Sequence, residues 1–346
     1  TKKLEIKQNP FTVKFEDTYI KGKYPLYEML FKDPEKNIEL YLKYKSNSLP
    51  HWVSQNISKG YLPMGTGFYR YGFVPRNNFT GKLKIKDEKL DIKGEGYFEH
   101  VWGDFSYTNP LSNISGIKKS VSIYSKLIGW WIKNHNLKIP NSLMFSTENN
   151  PLGYDWVWAI LDNGWSIFYG NILFFVMKGP ITGTLILTKD GEKYTEFCNV
   201  SFEYTKKEYS EEFDIYYPIE IKIVAKKGKE KLVLNFKSNN QISKLISPIK
   251  NQKLWKAFVI YEEPGEVKGF YENNKKKTYL SGKCKIEPQR QISKIGHNSM
   301  KIDFIKPPKG FGFDIDFESH YLNKKIKTKL EFTPLPHIKF YFNKIK

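Results

Sequence analysis

From about residue 60 to the C-terminus the chain consists of short apolar runs cut by turn residues, and this punctuation constrains the fold more than any other feature. Trp156-Val157-Trp158-Ala159-Ile160-Leu161, then Asp162-Asn163-Gly164, then Trp165-Ser166-Ile167-Phe168-Tyr169 reads as a hairpin, because Asn-Gly supplies the positive φ angles of a tight turn. A second hairpin runs over 184–187 and 194–197, turning at Lys189-Asp190-Gly191-Glu192. A third joins 219–224 to 232–236 through Lys227-Gly228-Lys229, and its clean alternation of apolar and polar residues suits a sheet with one wet face. Strands spaced this closely, with almost no helix between them, predict antiparallel barrels or sandwiches rather than a parallel α/β sheet. At 346 residues the chain exceeds the usual span of one hydrophobic core, so two domains are expected.

One segment breaks the pattern. Over 115–135 the residues Ile117, Val121, Tyr124, Leu127, Ile128 and Trp131 recur at helical spacing, with Lys118, Lys119, Lys126 and Lys133 at other positions. Ser112 or Ser115 can cap the start. A basic amphipathic helix carrying Trp130-Trp131 fits contact with an anionic membrane surface, and it fits a lid over a cavity equally well. Packing of its aromatic face on a barrel exterior is the plainer reading.

The densest cluster of informative residues is Gly94-Glu95-Gly96-Tyr97-Phe98-Glu99-His100-Val101-Trp102-Gly103. Successive side chains of a strand point to opposite faces, so Phe98, His100 and Trp102 share one face and Tyr97, Glu99 and Val101 the other. A histidine flanked by two large aromatics reads as the wall of an apolar cavity with one titratable group in it. The alternative is a buried histidine bonded to a neighbouring strand.

Several function classes recede on composition. The net charge of +20 suits nucleic acid or an anionic membrane, yet it comes almost wholly from lysines scattered in ones and twos. With no RNA-binding signature, zinc spacing or arginine fork for base edges, nucleic acid is not an expected partner. Six scattered histidines show no metal-ligand spacing, and Cys198 and Cys284 cannot form a disulfide framework. Gly94-x-Gly96 opens onto a strand rather than a helix, so it is no dinucleotide fingerprint, and no cofactor or metal is expected. Neither a signal peptide nor an apolar run near 18 residues is visible, but the chain opens on Thr1, so the compartment stays open, with the cytoplasm or a membrane periphery favoured.

The residues Tyr69-Arg70-Tyr71, Phe79-Thr80-Gly81-Lys82-Leu83 and the 94–103 stretch together resemble the signature of the carotenoid 1,2-hydratase (hydroxyneurosporene synthase) and AttH-like superfamily. There the pattern is Gly-x-Gly-Tyr-x-Asp/Glu-His-x-Trp-Gly. Tyr154-Asp155-Trp156-Val157-Trp158 with Leu161-Asp162-Asn163-Gly164 is similar to its Asp-Trp … Leu-Asp-Asp-Gly segment, and Tyr217-Pro218-Ile219-Glu220-Ile221 to its Tyr-Pro-x-x-Trp strand. Tyr261-Glu262-Glu263 with Ser281-Gly282 resembles a weaker C-terminal pattern, so the likeness covers about residues 60 to 290. It departs at Glu99, where Asp is common, at Ile221, where Trp stands, and in the insertion over 105–150. The resemblance implies two lipocalin-like antiparallel β-barrels in one chain, 1–178 with the helical insertion and 179–346, and a ligand cavity at the His-x-Trp strand. It also implies kinship with hydratases of isoprenoid double bonds and with cyclases that fold polyenes for Diels–Alder closure.

Chemistry narrows the candidates. Hydrating an isolated alkene begins with protonation of carbon, which a buried neutral carboxylic acid performs better than imidazolium. Asp155, among Tyr154, Trp156 and Trp158, is the first candidate donor, with Glu99 behind it. His100 would position or deprotonate the water. Trp102, Phe98, Tyr97, Tyr154, Trp156 and Trp158 would line the ligand site, each desolvated aromatic face steadying a cation by roughly 2 kcal/mol. Alternation sets Asp155 opposite Tyr154 and Trp156, so either the acid or the aromatics line the cavity unless a bulge intervenes. A hydrogen bond beside a turn is the structural role open to Asp155, and core packing the one open to the tryptophans. The expected function is a hydratase- or cyclase-type enzyme acting on a bulky apolar isoprenoid or polyene. A non-catalytic lipid or isoprenoid carrier and a purely structural barrel pair are the alternatives.

Overall fold

The computed structural model describes residues 4–106, 113–134, 142–147, 152–171, 173–174, 183–189, 193–197, 199–250, 255–294, 298–306, 310–319, 322–332 and 337–344. The chain is all-β, and every described strand pair is antiparallel. The first sheet has nine strands between Leu4 and Asp104, the second eleven between Leu152 and Ser293. A third, five-stranded sheet joins Ser142–Thr147 to the four strands from Asn298–Ile305 to His337–Lys344. The domain boundary expected at 178/179 lies outside the described residues, but Ser166–Asn171 before it pairs with Gly183–Lys189 after it in the second sheet. Along the chain, the strands of the two large sheets are separated between Asp104 and Leu152.

The hairpins read from the sequence are present. Trp156 to Ile160 pairs with Gly170 to Ser166, and Gly164 takes the positive φ of 88° that the turn requires. Ile215–Lys227 pairs with Glu230–Ser238 around Gly228, and Gly183–Lys189 with Lys193–Phe197 around a turn outside the described residues. Among the described residues, helix is confined to Gln55–Ser58 and to Ile117–Asn134, which falls within the 115–135 segment expected to be helical.

Both large sheets curl. In the second, Gly183–Lys189 comes back against Asn199–Ser210 near the opposite edge, around a core of Val157, Ala159, Leu161, Ile221, Ile223, Leu232 and Leu234. In the first, Phe11 on the second strand reaches Phe98 and His100 on the last, with ring centroids 6.0 and 5.0 Å apart.

The two sheets dock through a bulge that the sequence itself explains. Pro75 has no N–H to give a ladder, and the pairing of Gly67–Ile85 with Glu88–Asp104 slips between Val74 and Asn77. The free Pro75 carbonyl accepts a 2.8 Å hydrogen bond from the Trp158 indole, while Arg76 donates to the Gly164 carbonyl. Tyr71, Phe73, Trp156, Phe168 and Ile186 then form one buried cluster drawn from both sheets. Phe168, with its ring 4.4 Å from Phe73 and 5.6 Å from Trp156, is its most central member. Phe168→Ala is expected to cost about 3–5 kcal/mol in urea denaturation, the range for large cavities in aromatic cores.

Candidate functional site

The strand Glu88–Asp104 stands between two cavities. Tyr97, Glu99 and Val101 face the second sheet, where the Tyr97 ring lies 5.0 Å from Trp156 and 4.8 Å from Trp158. On this side a cavity of about 110 Å³ opens between the sheets. Tyr69, Tyr71 and Glu99 line it from the first sheet, and Tyr154, Trp156 and Glu287 from the second. The Ile117–Asn134 helix roofs it with Leu127 and Trp130. Strand alternation accounts for the lining: Trp156 pairs with Glu287 and Trp158 with Lys285, so these even positions of one strand and odd positions of the other share a face.

Glu99 is the centre of this cavity's chemistry. The Tyr71 hydroxyl donates to its Oε2 at 2.6 Å. Glu99 is exposed as a residue, while protein packed around its carboxyl end encloses that group in part. That enclosure raises its carboxyl above the usual glutamate range, against the Tyr71 hydrogen bond and with help from the negative charge of Glu287. Burial likewise pushes the Tyr71 phenol well above the ordinary tyrosine range, with the Glu99 charge adding to it. Across the cavity Glu287 accepts a 3.0 Å hydrogen bond from the Tyr154 hydroxyl, and Lys285 bridges Glu287 and Glu262 at 3.0 Å to each. Two carboxyl groups thus reach one apolar space in different settings, Glu99 on a phenol and Glu287 on an ammonium.

Phe98, His100 and Trp102 face the opposite way, into a second cavity of about 410 Å³ inside the curl of the first sheet. Tyr27 stacks on Phe98 at 4.6 Å, and Trp52 meets Trp102 at 5.4 Å. Gly72, paired with His100, leaves room for the Trp52 ring, because a Cβ there would lie 2.6 Å from it. Burial lowers the His100 imidazole below its usual range, which leaves the ring neutral at pH 7. Trp102 stands at the rim, 41 % exposed.

Asp155, the expected proton donor, is among the residues lining the cavity between the sheets, but its carboxylate is engaged on the other face of its strand. As alternation warned, Tyr154, Trp156 and Trp158 turn toward the first sheet and Asp155 turns with Val157 and Ala159 into the second sheet's interior. There it is fully buried, 2.9 Å from the equally buried Arg290 guanidinium. Tyr204 and the Asn171 amide donate to its Oδ2, and Asn171 accepts from its backbone N–H at 2.9 Å. A carboxylate held by a guanidinium and two further donors anchors the interior.

Of the expected catalytic set, Glu99 and Asp155 both border the cavity between the sheets, Asp155 with its carboxylate on Arg290, and His100 faces the second cavity. Of the expected lining, Tyr97, Tyr154, Trp156 and Trp158 gather on the Glu99 side, and Phe98 and Trp102 on the His100 side. Reading along the sequence met Tyr71 only within the Tyr69-Arg70-Tyr71 stretch and did not find Lys285 or Glu287. Their only signal was the alternation Lys285-Ile286-Glu287, which puts an ion pair on one strand face. Among the described residues no group of His, Cys, Asp and Glu is placed to hold a metal ion, and Cys284 is a buried free thiol; Cys198 lies outside the described residues.

No family model matches the chain, and no curated protein matches it. Among solved structures it is similar to an AttH-like protein from Nitrosomonas europaea, with 14 % identity and a TM-score of 0.45 over 80 % of this chain and 69 % of that one. It is also similar to kievitone hydratase from Nectria haematococca, at 12 % identity and a TM-score of 0.45 over 82 % of this chain and 70 % of that one. A third is CghA, at 10 % identity and a TM-score of 0.47 over 82 % and 68 %.

Replacing Asp155 by Asn leaves Arg290 buried without its counter-charge, and is expected to lower stability by about 3–5 kcal/mol in chemical denaturation. A change below about 1 kcal/mol would contradict the anchoring role given to the pair.

Proposed function

We propose that this chain is a hydratase- or cyclase-type acid–base enzyme. Its substrate is a bulky apolar isoprenoid or polyene whose reacting segment enters the cavity between the sheets. The observation that carries this reading is Glu99, a carboxyl group kept above its usual range in an aromatic cavity and touching a phenol. A cavity of about 110 Å³ approaches the roughly 150 Å³ of an engineered cavity that takes up benzene, so it suits one ring or one alkene segment. The rest of a long ligand would leave beneath Leu127 and Trp130.

For hydration, the Glu99 carboxylic acid gives its proton to one alkene carbon and the other becomes cationic. The faces of Trp156, Tyr154 and Tyr69 steady that charge, each by roughly 0.5–2 kcal/mol. Water adds to the cation, and its surplus proton returns to the Glu99 carboxylate with Tyr71 holding the oxygen. The net change is alkene plus water to alcohol, with Glu99 restored. In a cyclisation an internal alkene takes the place of water. Lys285 and Tyr154 fix the Glu287 carboxylate opposite, where its charge favours both the protonated state of Glu99 and the cation.

The carrier reading is favoured by a separate observation. The larger cavity, around His100, is walled by aromatics and holds no carboxyl group. It suits retention of an apolar molecule without chemistry. The two readings part on Glu99. Incubation with acyclic isoprenoids and polyenes, followed by mass spectrometry for cyclised products or for the gain of one water, provides the assay. Glu99→Gln is expected to lower turnover by about 10²–10⁴-fold while leaving ligand binding within a few-fold of the wild type. Unchanged turnover in Glu99→Gln would overturn the assignment, and binding without turnover in the wild type would leave the carrier.

A further inference from the structure

The Ile117–Asn134 helix has apolar residues on two sides, and packing explains only one. At about 100° per residue, Ser120, Ile123, Leu127 and Trp130 share the side that faces the protein. Ile123 is 4 % exposed there, and the Ser120 hydroxyl donates to the Gly65 carbonyl at 3.0 Å. Ile117, Val121 and Ile128 fall within roughly 40° of one another on a different side. They are 44, 58 and 51 % exposed, and Ile114, just before the helix, is 79 % exposed. A surface helix normally points such residues inward.

Charge identifies what this stripe fits. From residue 113 to 134 the chain carries Lys118, Lys119, Lys126 and Lys133 and no Asp or Glu. Lys119 lies over the Tyr61 and Phe68 rings at 4.1 Å, which pins the helix to the first sheet. Lys118, Lys126 and Lys133 are exposed and make no ion pair among the described residues. Around the helix, Lys118 lies roughly 60–100° beyond the apolar stripe, and Lys133 and Lys126 lie farther round, toward Lys119. Exposed apolar residues flanked by lysines without carboxylates match the boundary between acyl chains and anionic headgroups. A protein partner of matching charge would need an acidic, apolar-centred groove. A bilayer with anionic lipid presents both properties on any patch. Among the described residues no helix is long and apolar enough to cross a membrane, so this one would lie along the surface.

We propose that the stripe Ile114, Ile117, Val121 and Ile128, with Lys118, Lys126 and Lys133, docks this protein on an anionic membrane surface. The same helix roofs the cavity with Leu127 and Trp130, so docking sets the cavity mouth beside the bilayer, where an apolar ligand resides. The docking does not depend on the chemistry assigned to Glu99, and its assay has no turnover readout.

The test is co-sedimentation of the full chain with vesicles of phosphatidylcholine alone and with about one-third phosphatidylserine. Binding is expected to be at least about tenfold stronger to the anionic vesicles and to fall with added salt. Because a chain of charge +20 could adsorb by charge alone, the decisive variant keeps every lysine: Ile117→Ser, Val121→Ser and Ile128→Ser together. These positions are exposed, so the fold is expected to persist, as circular dichroism would check. The triple variant is expected to lose about tenfold or more of the binding, and Lys118→Glu with Lys126→Glu a comparable amount. Undiminished binding by the serine variant, or no binding by the wild type, would overturn the proposal. So would a concentration-dependent dimer in sedimentation velocity that the same serines abolish, since the stripe would then belong to a second copy of the chain.

Discussion

The structure depends on the packing of one sheet face against another. Tyr97 against Trp156 and Trp158, and Phe73 against Phe168, close the face of the first sheet onto the second. Large aromatic surfaces contribute most of the attraction, since each fully buried side chain of this kind removes much apolar area from water. Direction comes from polar contacts at the bulge, where the Pro75 carbonyl receives the Trp158 indole. The cavity between the sheets exists because this contact is incomplete toward the helix. There Glu99, Tyr71 and Glu287 take the places that further aromatics would otherwise fill.

That arrangement explains how one strand serves two environments. Period-two alternation puts Glu99 and His100, adjacent in sequence, on opposite walls. Enclosure acts on both but with opposite consequences for charge: it favours the protonated carboxyl of Glu99 and the deprotonated imidazole of His100. Both shifts favour the uncharged form of the group beside an apolar space. Asp155 borders the Glu99 cavity, but its side chain turns into the second sheet, to Arg290, Asn171 and Tyr204.

Much of the fold was legible because its signals are local. Asn163-Gly164 and Gly228 mark turns by their own backbone requirements, and the 115–135 periodicity marks a helix by its own spacing. Alternation within residues 97–102 also foretold which side chains share a face. The site was harder to read because its members meet through pairing over long separations. Tyr154 and Glu287 are 133 positions apart, and only the register of Leu152–Leu161 with Lys276–Ser293 brings them together. Asp155 looked reactive because its aromatic neighbours in sequence are conspicuous, whereas the partner that decides its role, Arg290, lies on that distant strand. The separate five-stranded sheet was missed for a similar reason: Ser142–Thr147 joins it across more than a hundred residues.

The central claim is that the cavity between the sheets holds Glu99 as a weak acid, and the titration of that one carboxyl group tests it most directly. Carbon-13 NMR of the labelled protein, with the Glu99 signal assigned by its loss in Glu99→Gln, would follow the group from acid to alkaline pH. The account predicts a midpoint above the ordinary glutamate range, moving higher in Tyr71→Phe because a donor to the carboxylate is removed. A midpoint at or below the ordinary range would contradict it, since Glu99 would then be a solvated carboxylate with no proton to give near neutral pH.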